Sequence, residues 1–146
     1  MDHHSIARDL LAVFCGLQGI GTVAIDLNRT HATHPGWLGH ARFHVVWQTS
    51  TVVALSIFEI ALVLVRGPSM SQRFYTAAIL AGAPMLGFFV ALLTKRLYGG
   101  AISDPQGIPP WIVRLRKTQF CIDLNVVTEI VGLLSLAAIV AIYHPD

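Results

Sequence analysis

The sequence predicts an all-α protein, a four-helix bundle integral to a membrane, and three observations carry that expectation. The 146 residues are 54% apolar and only 12% charged, against about 25% charged in an ordinary soluble domain. Four apolar runs, roughly residues 6–27, 43–65, 74–93 and 120–143, are each long enough to cross ~30 Å of hydrocarbon at 1.5 Å per helical residue. The charged residues gather mainly between those runs. Lipid offers the backbone no hydrogen-bond partner, so each run has to be a helix. One domain accounts for the length, and ten basic against eight acidic residues give no argument for a nucleic-acid partner.

The first run follows the near-neutral flank M-D-H-H-S-I-A-R-D, which lacks the positive charge expected of a cleaved signal. Residues 28–42 then join the first two helices, and four of the seven histidines fall between His31 and His44, in H-A-T-H-P-G-W-L-G-H-A-R-F-H. Residues 66–73 read as a tight turn. Residues 94–119 are a long connection with Gly99-Gly100, Asp104-Pro105 and Pro109-Pro110-Trp111, followed by Arg114, Arg116 and Lys117. Its last part reads as an interfacial segment, with Trp111 at headgroup level and the cations towards anionic lipid. Arg29, Arg42, Lys95, Arg96 and those three cations lie on one side, against Arg8, Arg66 and Arg73 on the other. The positive-inside rule then places the histidine loop in the cytoplasm and both termini outside. Cys15 and Cys121 fall in separate apolar runs, one mid-helix and one near an end, and no disulfide is expected.

Polar residues within the runs fall on stripes. His40, His44, Gln48, Thr51 and Glu59 recur along the second helix, Cys15, Gln18, Thr22 and Asp26 along the first, and Asn125, Thr128, Glu129, Gly132 and Ser135 along the fourth, with Asp123 at its entrance. Such spacing holds side chains near one face. Three facing stripes would line a polar cavity that opens beside the histidine loop and closes towards Glu59. Taken singly, Gln18, Thr22, Thr51, Asn125 and Thr128 read as interhelical glue. Glu59 and Glu129 read as functional, because an ionisable group costs about 2.5–3.5 kcal/mol in a bilayer and calls for a reason. The third run offers little polarity, though Pro84, Gly82 and Gly87 permit a kink and close packing.

His40 and His44 are four apart, a spacing used by metal-binding helices. With Asp26 and His31 they form a candidate set for zinc or iron. His34, before Pro35, reads as part of a turn, and His3, His4 and His144 as solvated terminal residues.

The combination of D-L-N-R-T-H from Asp26 to His31, H-P-G-W from His34 to Trp37, and H-A-R-F-H from His40 to His44 with Gln48-Thr49 resembles a group of small four-helix bacterial and fungal membrane proteins without an assigned chemistry. That resemblance implies a shared site at Asp26, Asn28, His31, His40, Arg42, His44 and Gln48, and a bacterial inner membrane as the location. A second similarity is to styrene oxide isomerase, whose second helix carries A-R-x-H and whose histidine ligates a haem iron acting as Lewis acid. It implies haem b on His44 beside Arg42; His40 has no counterpart in that pattern, and Phe88 or Phe89 stands where that family has a tyrosine. The general layout also resembles the sterol-isomerase and sigma-2-receptor family, as an architectural analogy.

The expected function is therefore a membrane enzyme acting on a small lipophilic substrate, as isomerase, hydrolase or oxygenase. Haem b or a divalent metal on His44, with His40, Asp26 or His31, would serve as Lewis acid. Glu59, Glu129 and Asp123 would handle protons, and Gln48 and Asn125 complete the site. A proton or metal-ion transporter and a lipid-binding or structural protein are the alternatives. Gly16, Gly19 and Gly21 offer a face for homo-oligomer formation.

Overall fold

The computed structural model describes residues 2–103, 107–115 and 118–143. Asp104, Pro105, Arg116, Lys117 and His144, used in the reading above, lie outside the described residues. The chain runs α1 (His3–Asp26), α2 (Gly39–Leu64), α3 (Met70–Thr94), a 3-10 turn (Lys95–Leu97), the antiparallel strands β1 (Trp111–Leu115) and β2 (Thr118–Ile122), and α4 (Leu124–Ile142). It is an all-α four-helix bundle, and all four helices are long and apolar enough to cross a membrane. Only 11–28% of each apolar window is buried inside the protein. The rest, including Ile20, Ile79 and Leu93, is apolar surface that lipid rather than protein would cover.

The start of the fourth helix differs from expectation. The fourth apolar run does not begin a helix at Phe120: residues 118–122 form β2, paired so that Trp111 faces Ile122 and Val113 faces Phe120. The stretch is rich in aromatic and β-branched residues, which suit a strand. Asp123 then starts α4 as its N-cap, accepting from the N–H groups of Asn125 at 2.9 Å and Val126 at 3.4 Å, the usual capping chemistry of a short acidic side chain. Cys121 is accordingly an exposed strand residue, while Cys15 is buried and free.

The core is concentrated in one half of the bundle. Its members are Ala7, Leu11 and Cys15 of α1, Val63 of α2, Phe74, Ala77, Ala78, Ala81 and Met85 of α3, and Leu136, Ile139 and Tyr143 at the end of α4. Tyr143 stacks on Phe74 with ring centroids 3.8 Å apart, and its hydroxyl donates to Ser71 Oγ at 3.0 Å. Beyond Gly19 of α1 and Met85 of α3, and before Thr49 of α2 and Leu136 of α4, none of the described helical residues is buried. The bundle is closed near the chain's two ends and loosens towards the histidine loop.

Candidate functional site

The inward row of α2 is Thr49, Val52, Ser56, Glu59 and Val63, spaced alternately three and four as in a coiled-coil seam. It meets the row Ala7, Leu11, Cys15 and Gly19 of α1. Arg8 donates through Nε and Nη2 to Val63 O, at 2.9 and 2.7 Å. Cys15 faces Glu59 across the seam. A Cβ on Gly19 would stand 3.1 Å from Ser56, and Thr49 donates to Asp26 Oδ2 at 3.4 Å. These four rungs make an antiparallel seam with a polar lining. Among the described residues, Glu59 Oε2, Ser56 Oγ and Arg42 Nε are buried without a partner.

Of the stripe expected along α2, only Glu59 joins this row; His40, His44, Gln48 and Thr51 are exposed. From His40 to Glu59 the five positions drift by roughly 100° around the helix, enough to leave the seam. Several polar groups also satisfy themselves. The hydroxyls of Thr22, Thr51 and Thr128 donate to the carbonyls of Gln18, Trp47 and Leu124 one turn back in their own helices. A threonine bonded in this way tolerates lipid or core alike. Gln18 instead crosses to α3, donating to Ala81 O at 3.1 Å.

The histidines separate into three settings. His34 is buried and organises the turn: its Nδ1 accepts the N–H of Gly36 at 3.1 Å, and its carbonyl accepts Arg42 Nη2 at 2.8 Å. His40 and His44 are exposed on the flank of α2, their Nε2 atoms 3.1 Å apart. His31 lies elsewhere, in a cleft of about 350 Å3 with Thr30, Trp37, Asn125, Ile102 and Ile108 among its walls. The cleft is at the loose end of the bundle, and its size falls at the lower end of the ~300–1,000 Å3 typical of small-molecule sites.

The hydrogen bonds around His31 fix its tautomer. Asn28 follows the end of α1 and its Nδ2 donates to the carbonyls of Ala24 and Ile25, both at 2.8 Å. With the amide so oriented, Oδ1 can only accept, and it takes the backbone N–H and the hydroxyl of Thr30, each at 2.7 Å. The Thr30 proton being committed, its oxygen accepts from His31 Nδ1 at 2.8 Å. Neutral imidazole carries one N–H, so His31 Nε2 keeps its lone pair. The Trp37 ring stands edge-on to the imidazole at 5.7 Å, and the Asp26 carboxyl lies within electrostatic range of it.

The four-ligand set of Asp26, His31, His40 and His44 does not assemble: among the described residues no three His, Cys, Asp or Glu side chains converge on one point. Neither the His31 cleft nor the apolar groove between α3 and α4 at Gly82 and Leu136 has His44 in its walls. Asp123 is engaged as a helix cap. Asn125 joins His31 in the cleft, and Glu129, one turn along α4 from Asn125, is half-buried. Thr30 and Trp37 join the cleft beyond the expected site residues; the signal for Thr30 is N-x-T immediately after a helix end, where Asn side chains favour local turns. No family model, curated protein or solved structure matches the chain.

Proposed function

We propose that the protein is a membrane enzyme that moves a proton on a small lipophilic substrate, with His31 as general base in the cleft beside the histidine loop. The observation that carries this reading is the Asn28–Thr30–His31 relay, which leaves His31 with Nδ1 protonated and Nε2 basic. A general base needs this: a fixed tautomer and a neighbour that favours the imidazolium once formed. Asp26, when ionised, supplies the last of these. Trp37, Ile102 and Ile108 would hold an apolar body, and Asn125 a single polar group, in the manner of small-molecule sites. Glu129 lies on the same helical face as Asn125, about 6 Å further along α4, and is the carboxyl suited to return a proton. Isomerisation requires only such a transfer, with no oxidant and no added water, and is the reaction type these residues supply on their own.

The test compares extractable lipophilic compounds from membranes producing the wild-type chain and His31→Gln. A compound converted by wild-type membranes, and by the purified protein, should accumulate unchanged with His31→Gln. Conversion that survives His31→Gln, or no conversion by the wild type across the extract, overturns the reading. Proton or metal-ion flux into vesicles in the absence of any chemical conversion would favour transport instead.

A further inference from the structure

The exposed pair His40 and His44 has no role in the proposed acid–base chemistry, and its geometry points to a second site. We infer that the two imidazoles form a two-point chelate for a divalent transition-metal ion such as Zn2+, on the outer flank of α2. Their Nε2 atoms are 3.1 Å apart. Two Zn–N bonds of ~2.05 Å spanning that distance enclose an angle of about 100°, close to a tetrahedral edge. The rings approach edge to face, with centroids 4.5 Å apart and an interplanar angle of 88°. Both side chains are exposed and sit in the first two turns of α2. Water fills the remaining coordination positions.

The ring-to-ring contact is itself informative. At 3.1 Å one Nε2 donates and the other accepts, so the accepting ring already presents a lone pair. The donating ring needs only to carry its proton on Nδ1 instead, and the ion then takes the place of the shared hydrogen with no net loss of a proton. Phe43 and Trp47 frame His44, with centroids 6.1 and 5.6 Å from its ring, and limit its rotamers. Helical spacing, aromatic packing and the contact between the rings hold the pair ready before any metal arrives, which reduces the ordering cost of binding.

Zn2+ titrated into the detergent-solubilised full chain, followed by calorimetry, tests the inference. The wild type should bind one ion, and His40→Ala and His44→Ala should each bind at least about tenfold more weakly, since even groups that only orient a ligand are worth 10–100-fold. His3→Ala/His4→Ala should bind as the wild type does. Zinc affinity in His40→Ala/His44→Ala equal to that of the wild type, or its loss in His3→Ala/His4→Ala, overturns the proposal. Circular dichroism without metal confirms that the variants are folded, as substitutions at exposed positions should be. The result is independent of His31, so this inference and the acid–base reading fail separately.

Discussion

The two ends of the bundle are built on opposite principles. At the end holding the chain termini, side chains of all four helices interlock around Leu11, Val63, Phe74 and Tyr143, and Arg8 ties the last turn of α2 to α1. At the histidine end the helices contribute no buried apolar core among the described residues, and order comes from hydrogen bonds in the connection: Asn28 to Thr30 to His31, and Arg42 to His34. A dense core leaves little room within it, and the groove of about 400 Å3 between α3 and α4 there is apolar surface, whereas a loop ordered by directional bonds can leave a cleft and hold one imidazole in one protonation pattern. In this protein, stability is concentrated at one end and the candidate chemistry at the other.

The strongest way to break that comparison is to delete the same atoms at both ends. Leu11 is fully buried and Leu93 is 82% exposed. Leu11→Ala should cost about 2–5 kcal/mol, from lost contacts and the cavity left behind. Leu93→Ala should stay within about 0.5 kcal/mol, because in a bilayer that side chain meets lipid whether the helices are associated or not. Unfolding in mixed micelles, followed by circular dichroism, reads both; equal costs would mean that the histidine end is as tightly packed as the other.

The α1–α2 seam sharpens the contrast at single-methyl resolution. A Cβ on Gly19 would meet Ser56 Cβ and Oγ at 3.1 Å, while one on Gly21 meets nothing within 4 Å. Gly19→Ala should therefore push the helices apart and cost about 1–2 kcal/mol. Gly21→Ala has no such contact and should stabilise by up to about 1 kcal/mol through helix propensity. The same micelle assay decides the sign of each; a stabilising Gly19→Ala would show that Ser56 gives way and that the seam is not close-packed.

The four spanning helices were legible because hydrocarbon thickness and backbone hydrogen bonding leave few solutions for runs of that length. The inward row of α2 was not. Both the core and the lipid face of a membrane helix are apolar, so hydropathy does not mark which is which. Polarity misleads as well: Thr51 is polar and exposed, yet bonded to its own helix, whereas Thr49 and Ser56 turn inward. The hairpin was hidden for a related reason, since Phe120, Cys121 and Ile122 continue an apolar run into α4 and only Asp123 marks the break. In the histidine loop, residue type brought out His40 and His44 first. What distinguishes His31 is the hydrogen bonding of Asn28 and Thr30, which depends on how the chain turns after Asp26.

The smallest expected effect concerns the helix caps, which both ends share and which should be insensitive to the packing difference. Asp2 begins α1 at the closed end and accepts the N–H of Ser5 at 2.7 Å. That bond, with lesser help from the Ser5 side chain and from His4 and His3, holds the Asp2 carboxyl below its usual range. The sign follows from linkage: a carboxyl more acidic in the folded state stabilises above its unfolded pKa, near 3.9, and loses that contribution as pH falls through the lower folded value. Acidification should therefore fray the first turn of α1 and no more, because Asp2 is fully solvated and its cap is local. Amide exchange at Ser5 in micelles should quicken, relative to intrinsic rates, as the carboxyl protonates, and Asp2→Ala should show the quickened rate at every pH. If acid instead loosened Leu11 and Cys15 with Ser5, the cap would be coupled to the core, and the closed end would be less self-sufficient than its packing implies.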